Sequence, residues 1–317
     1  MRDLVIKNDD IKRYLSYVLK HPMEFYRAIQ CRKANKLNTK APYELSDKAI
    51  QKIQKESLII ENRFSLSKTE KKTGGKWSKL TLDLAGETLS INVEQEIPWR
   101  TVFPDGEAVA ALHRFIWLQR LMTEALEDKT IIEGASEYAV RTILSWIREF
   151  MPYGGIEHID DCHMEVWQTY SVAERVISWI YCLVMSTKKD MENETILSAI
   201  KEQLLFIAGH LEYYGEIYTG NHLSNDGRAI FIGGCVFQSK ELMDFGLQIM
   251  LEEAKRIFTD GIFLREGSAH YQFLITRNYT EAMLFAKKYE NMEAERELKA
   301  IVEKLAEGCK FFLYEDT

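Results

Sequence analysis

Residues 220–238 read GNHLSNDGRAIFIGGCVFQ. From Ala229 to Phe237 the stretch carries no charge, and it reads as a helix sunk in a core rather than laid on a surface. Its mouth holds three polar side chains, Asn221, His222 and Asn225. Each has an ordinary structural reading when taken alone. Asn caps helices because its side-chain carbonyl accepts an otherwise unpaired backbone N–H, and a single His is commonly a hydrogen-bonded structural residue.

Around this run the chain is a succession of helical patterns. EAVAALHRFIWLQRLMTEAL, SEYAVRTILSWIREF, YSVAERVISWIYCLVMS and ILSAIKEQLLFIAGHLEYY precede it, while KELMDFGLQIMLEEAKRIF, FLITRNYTEAMLFAKKY and ERELKAIVEKLAEGCKFFL follow. Apolar residues recur at three and four positions in each, the period of an amphipathic helix. No fixed-length repeat is present, so the helices form antiparallel pairs in a bundle or in a closed or partly closed (α/α) toroid, and periodicity does not choose between them. Upstream, short helical patterns fall near Ile11–Leu19 and Glu44–Glu56, and SKTEKKTGGKW at 67–77 reads as a solvated basic loop. KLTLDLAGETLSINV at 79–93 alternates on both sides of AGE, as a short hairpin does. The expected organisation is an N-terminal region over 1–95 and an all-α domain over 96–317.

Composition agrees with a helical body: 46% of residues are hydrophobic, 28% are charged, and five prolines interrupt 317 residues. A net charge of −7 argues against sequence-independent nucleic-acid binding. Cys31, Cys162, Cys182, Cys235 and Cys309 show no CxxC spacing, and His222 and His270 belong to no HExxH pattern, so neither a zinc site nor a cofactor is expected. The opening MRDLVIKNDDIKRYLSYVLKHP lacks the apolar core of a signal peptide, and no apolar run is long enough to cross a bilayer. The expectation is a cytoplasmic protein without a membrane partner.

A second block, TDGIFLREGSAHYQ at 259–272, holds a DG turn, then Glu266, Ser268 and Tyr271 ahead of a new helix. Taken together, Asn221, His222 and Asn225 before the apolar run, and the pattern D-G-x-x-x-x-E-x-S-x-x-Y after it, resemble the helical half of the heparinase II/III-like polysaccharide lyases, a group related to several alginate lyases. IPWRTVFPDGEAVAALHRFIWL at 97–118 is similar to that family's lead-in to its first toroid helix. EVWQTYSVAERVISWI at 165–180 is similar to its W-x-x-Y-x-x-x-x-R-x-x-x-W segment. The resemblance runs from about Glu96 onward and implies an incomplete (α/α) toroid.

What the resemblance implies chemically is β-elimination on an acidic polysaccharide or oligosaccharide. Removing the C5 proton of a uronic acid drives negative charge onto its carboxylate, so donors are needed there. Asn221 and His222 match the family's carboxylate-neutralising pair, and Tyr271 matches its catalytic tyrosine, an acid near the C4 oxygen or both base and acid. Asn225, a further candidate for the substrate groove, stands where some members carry Glu, and Gln272 where many carry His. Trp167, Tyr170 and Arg175 fall in the matched segment as groove-lining candidates, with Glu266 beside them as a substrate contact, whereas His113 and Arg114 are expected to pack the toroid. Family enzymes continue into a β-sandwich domain, and no such segment follows LAEGCKFFLYEDT. The expectation is a fragment, a partner domain on a separate chain, or a protein that has lost that half. The 165–180 segment is most similar to intracellular relatives associated with capsule and lipopolysaccharide assembly. Two other functions use the same scaffold: a non-catalytic glycan-binding or assembly module, and a glycoside hydrolase, which would require two carboxylates, Glu266 with Asp226 or Asp260.

Overall fold

Every residue of the helix Asn221–Phe237 except His222 is buried, so the run that reads as a core helix is enclosed on all sides. The computed structural model describes residues 41–56, 79–127, 132–151, 164–186, 192–215 and 219–313. The chain divides into two units, Met1–Pro42 with Tyr213–Thr219 and Tyr43–Glu212 with Gly220–Thr317. All described helices and strands belong to the second. In chain order they are α1 (Asp47–Lys55), β1 (Lys79–Leu84), β2 (Glu87–Asn92), α2 (Gly106–His113), α3 (Ile116–Glu127), α4 (Ile132–Phe150), α5 (Met164–Trp167), α6 (Thr169–Met185) and α7 (Glu192–Gly209). Then follow α8 (Asn221–Phe237), α9 (Lys240–Ile257), β3 (Phe258–Thr259), β4 (Phe263–Leu264), α10 (Ala269–Lys288) and α11 (Met292–Lys310). The helical pattern near residues 11–19, the basic stretch 67–77, and Cys31 and Cys162 lie outside the described residues.

The expected hairpin is β1–β2, in antiparallel register with Leu84 opposite Glu87. Ala85 and Gly86 both take positive φ, 54° and 92°, which is what a two-residue turn matched to strand twist requires. The DG turn closes a second, two-residue-long hairpin, β3–β4, that alternation in so short a segment does not announce. Asp260 and Gly261 there also have positive φ.

The stretch that reads as one helix from Glu107 to Leu126 is broken into α2 and α3. Phe115 sits between them at φ 60°, a strained conformation for an aromatic residue. Its ring is fully buried against Trp99, Trp146 and Trp179, at centroid distances of 5.2, 6.3 and 5.4 Å. Those aromatic contacts offset the backbone strain.

From α6 onward the helices form antiparallel pairs, α6 with α7, α8 with α9, and α10 with α11. Successive pairs stack so that α6, α8 and α10 run side by side in one direction. Tyr170 and Glu174 of α6 meet His222 and Arg228 of α8, and Asn225 and Arg228 of α8 meet Asn278 and Glu281 of α10. This is an incomplete (α/α) toroid of antiparallel helix pairs with a small hairpin, all-α in class. Among the described residues no helix is long and apolar enough to cross a membrane, and Cys182, Cys235 and Cys309 are buried free thiols.

Glycine lets the central pair close. A Cβ on Gly234 of α8 would lie 2.4 Å from the backbone nitrogen of Met243, and one on Gly246 of α9 would lie 2.3 Å from that of Phe231. These are backbone atoms of a facing helix and cannot swing aside as a side chain would. Gly246→Ala is therefore expected to destabilise the protein by about 3 kcal/mol or more. Gly134→Ala, in the exposed first turn of α4 with open space around the new methyl, is expected to stabilise it by about 0.4–1 kcal/mol. Urea denaturation midpoints of the two variants measure both effects.

Candidate active site

Because α6, α8 and α10 are parallel, their first turns gather at one end of the stack. Unpaired N–H groups and the positive ends of three helix dipoles therefore concentrate there, a setting that favours anions. The N-cap of α8 is Gly220, which offers no side chain, and Asn221 is already helical. The capping expected of Asn221 is instead supplied from another element: the Asn221 backbone N–H donates to Glu266 Oε1 at 3.3 Å. The Asn221 amide thus stays out of the cap and makes no hydrogen bond among the described residues. Glu266 belongs to the loop leading into α10, where Ser268 caps the helix by accepting from the backbone of Tyr271 at 3.3 Å. One carboxylate therefore ties the loop that leads into α10, whose first turn carries Tyr271, to the first turn of α8.

His222 is the open residue of α8, its side chain 40% exposed. Its Nδ1 lies 2.7 Å from Glu212 Oε2, and its ring lies against Tyr170 of α6 at a centroid distance of 4.6 Å. The guanidinium of Arg114, which also binds Ser171 and Glu107, sits 5.1 Å from the Tyr170 ring. Burial, then the charge of Glu174, pushes the Tyr170 phenol up to about 12. Tyr271 is 41% exposed and neither stacks on nor hydrogen-bonds Asn221 or His222. The link between them is Glu266.

Three residues expected to line a groove do not do so. Arg175 is fully buried: Nε donates to Gln203 at 2.6 Å, Nη1 donates to the carbonyls of His113 and Val166, and its plane packs over Trp146 and Trp167. Trp167 is buried in the same stack. Asn225 is fully buried and accepts from Asn278 at 3.3 Å. Their spacing in the sequence carries them to the inward side of α5, α6 and α8, where each supports the core. His113 is buried and accepts from Trp146 Nε1 at 2.9 Å, the packing role expected of it. The carboxylate pairs suggested for a hydrolase fail as well. Asp226 is sealed in the interior, while Asp260 is exposed on the β3–β4 turn.

The residues that sequence reading missed lie just beneath His222. Thr169 Oγ1 is 3.2 Å from Glu212 Oε1 and 3.1 Å from Asp226 Oδ2. A single hydroxyl proton cannot serve both acceptors fully. Complete burial, with the charge of Glu212 beside it, raises Asp226 well above the usual carboxylate range. A proton held on Asp226 would relieve that competition, since a neutral Asp226 could donate to Thr169 and leave the hydroxyl proton for Glu212. Burial also pushes Glu212 upward, but the His222 hydrogen bond and charge, the Thr169 hydroxyl and a backbone bond outweigh it and leave Glu212 below its ordinary value. Two neighbouring carboxyls are thus shifted in opposite directions. Among the described residues no group of three or more His, Cys, Asp or Glu is arranged to hold a metal ion.

No protein-family model and no curated protein matches this sequence. Solved structures do. The heparan sulfate lyase HepC from Pedobacter heparinus superposes with a TM-score of 0.55 at 16% identity, over 89% of this chain and 42% of that one. A heparinase III gene product with methylated lysines gives a TM-score of 0.50 at 14% identity, over 92% of this chain and 46% of that one. At such identity the likeness establishes the fold, which is that of the helical part of these lyases. The chain spans less than half the length of either.

A carboxyl with a raised folded pKa binds a proton that the unfolded chain has released. It therefore subtracts stability as pH rises from the unfolded value, about 4, toward the folded one. Asp226→Asn, which keeps a donor toward Thr169 and cannot ionise, is expected to melt close to the wild type at pH 4 and increasingly above it toward pH 7. Thermal melts of both proteins across that range test the assignment.

Proposed function

We propose that this chain is the helical part of a polysaccharide lyase that breaks uronic-acid-containing glycans by β-elimination, in surface-polysaccharide metabolism. The observation that carries this reading is the Asn221 N–H···Glu266 bond, which fastens the loop leading to Tyr271 to the helix start bearing Asn221 and His222. The Asn221 amide, free of any capping duty, and the Nε2–H of a protonated His222 would receive the substrate carboxylate. Its charge grows as the C5 proton leaves, so these contacts strengthen in the transition state rather than in the ground state. The helix N-termini of α6, α8 and α10 add a favourable field of the same sign. Tyr271, exposed and without a hydrogen-bond partner for its hydroxyl among the described residues, would deliver a proton to the departing C4 oxygen. Tyr170, half-buried beside His222, would form a wall of the sugar site, and Glu266 would set the spacing between the two halves of the machinery. The glycan that heparinase-type neighbours cleave, heparan sulfate, is one member of the acidic class proposed here.

The full-length polypeptide incubated with a panel of uronate polymers is expected to release an ultraviolet-absorbing unsaturated uronate. Tyr271→Phe should lower kcat by about 10²–10⁴ with substrate still bound, and Asn221→Ala by about 10²–10³. Glycan binding without unsaturated product would favour the non-catalytic module. Neither binding nor product from any uronate polymer would exclude the lyase reading.

A further inference from the structure

We infer that Glu212 is the positioning residue of His222: it holds the imidazole by Nδ1, so that Nε2 is the nitrogen turned outward to work. The inference rests on the proposed function for the word "work", but its structural content stands without it. A neutral imidazole carries one N–H, and which nitrogen bears it is set by the partner of the other. In water the Nε2–H form is favoured. Here Nδ1 faces a carboxylate oxygen at 2.7 Å, an arrangement that requires the proton on Nδ1. The Glu212 side chain is only 12% exposed, so water does not compete freely for that bond.

Glu212 is itself held in place. Its other oxygen accepts from Thr169 of α6, and its backbone N–H points at Asp226 Oδ2 at 3.4 Å, so the residue is bound through both main chain and side chain. Thr169 also lies 3.1 Å from Asp226 Oδ2, so the hydroxyl that holds Glu212 is itself anchored, and the Glu212 carboxylate takes Thr169 on one oxygen and His222 on the other. Tyr170 covers one side of the imidazole and carries Arg114 over its own ring, so sideways rotation of His222 is hindered as well. The consequence for the site is that a neutral His222 presents a lone pair to a substrate, and a protonated one presents a single N–H donor, in both cases at Nε2.

Two-bond proton–nitrogen correlation spectra of the resting, full-length protein decide this, with the His222 signals identified by their loss in His222→Gln. At a pH where the ring is neutral, the wild type is expected to show the Nδ1–H pattern. Glu212→Gln, which keeps an acceptor oxygen, should retain it, and Glu212→Ala should revert to Nε2–H. An Nε2–H pattern in the wild type would overturn the inference, as would an unchanged Nδ1–H pattern in a folded Glu212→Ala. If Glu212→Ala does not fold, the wild-type and Glu212→Gln spectra decide alone. No substrate enters the measurement, so a protein without lyase activity could still show the Nδ1–H form, and an active one could still lack it.

Discussion

The guanidinium of Arg228 is buried with almost no exposure at the centre of the helical stack, and the arrangement of the molecule depends on how it is paired. From α8 it reaches Glu174 of α6 at 2.7 Å, Glu281 of α10 at 3.3 Å, and the side-chain carbonyl of Asn278. Burial alone would pull its pKa down, yet the charges of Glu174 and Glu281 hold the group above its ordinary value. Such an ion cluster adds little net stability compared with apolar packing, but breaking one side of it leaves an uncompensated charge in the core, at a cost of about 3–5 kcal/mol. Sliding α6 or α10 by one turn relative to α8 would do just that. Arg228 therefore fixes the longitudinal register of three parallel helices.

That register is what brings the candidate site together. With Glu174 and Glu281 locked to Arg228, the three helices start toward the same end of the stack, α10 reaching furthest, and Tyr170 meets His222 there while Glu266 meets Asn221. The polar opening of α8 has two uses that divide by depth. Asn225 and Asp226 turn fully inward and join the buried network, while Asn221, itself buried, lies in the first turn beside the open His222. The glycine contacts between α8 and α9 serve the same geometry from behind, because close backbone packing leaves α8 a single possible position.

Much of this was readable in advance where periodicity governs. The helices, the hairpin at 79–93 and the buried character of 229–237 follow from patterns of apolar residues, since burial on one face or on all faces is a local property of the sequence. The break at Phe115 was not readable, because its cause is a pocket of tryptophans drawn from distant segments. Arg175 was misjudged for a related reason: a cation in an aromatic-rich segment suits both a sugar groove and a core strut, and only the positions of Gln203, Trp146 and two carbonyls decide. Glu212 carried no signal at all. It lies in an aromatic loop ten residues before His222, and nothing in that spacing foretells that the chain folds back to place a carboxylate against the imidazole.

The central claim is that Asn221, His222 and Tyr271 face one substrate ring across the Glu266 tether. A crystal structure of the Tyr271→Phe variant with a bound uronate oligosaccharide examines it most directly. The account predicts a sugar carboxylate within about 3 Å of both the Asn221 amide and His222 Nε2, with the position-271 ring on the C4 side of the same residue. A sugar seated elsewhere on the helices, or one whose carboxylate contacts neither Asn221 nor His222, would contradict it.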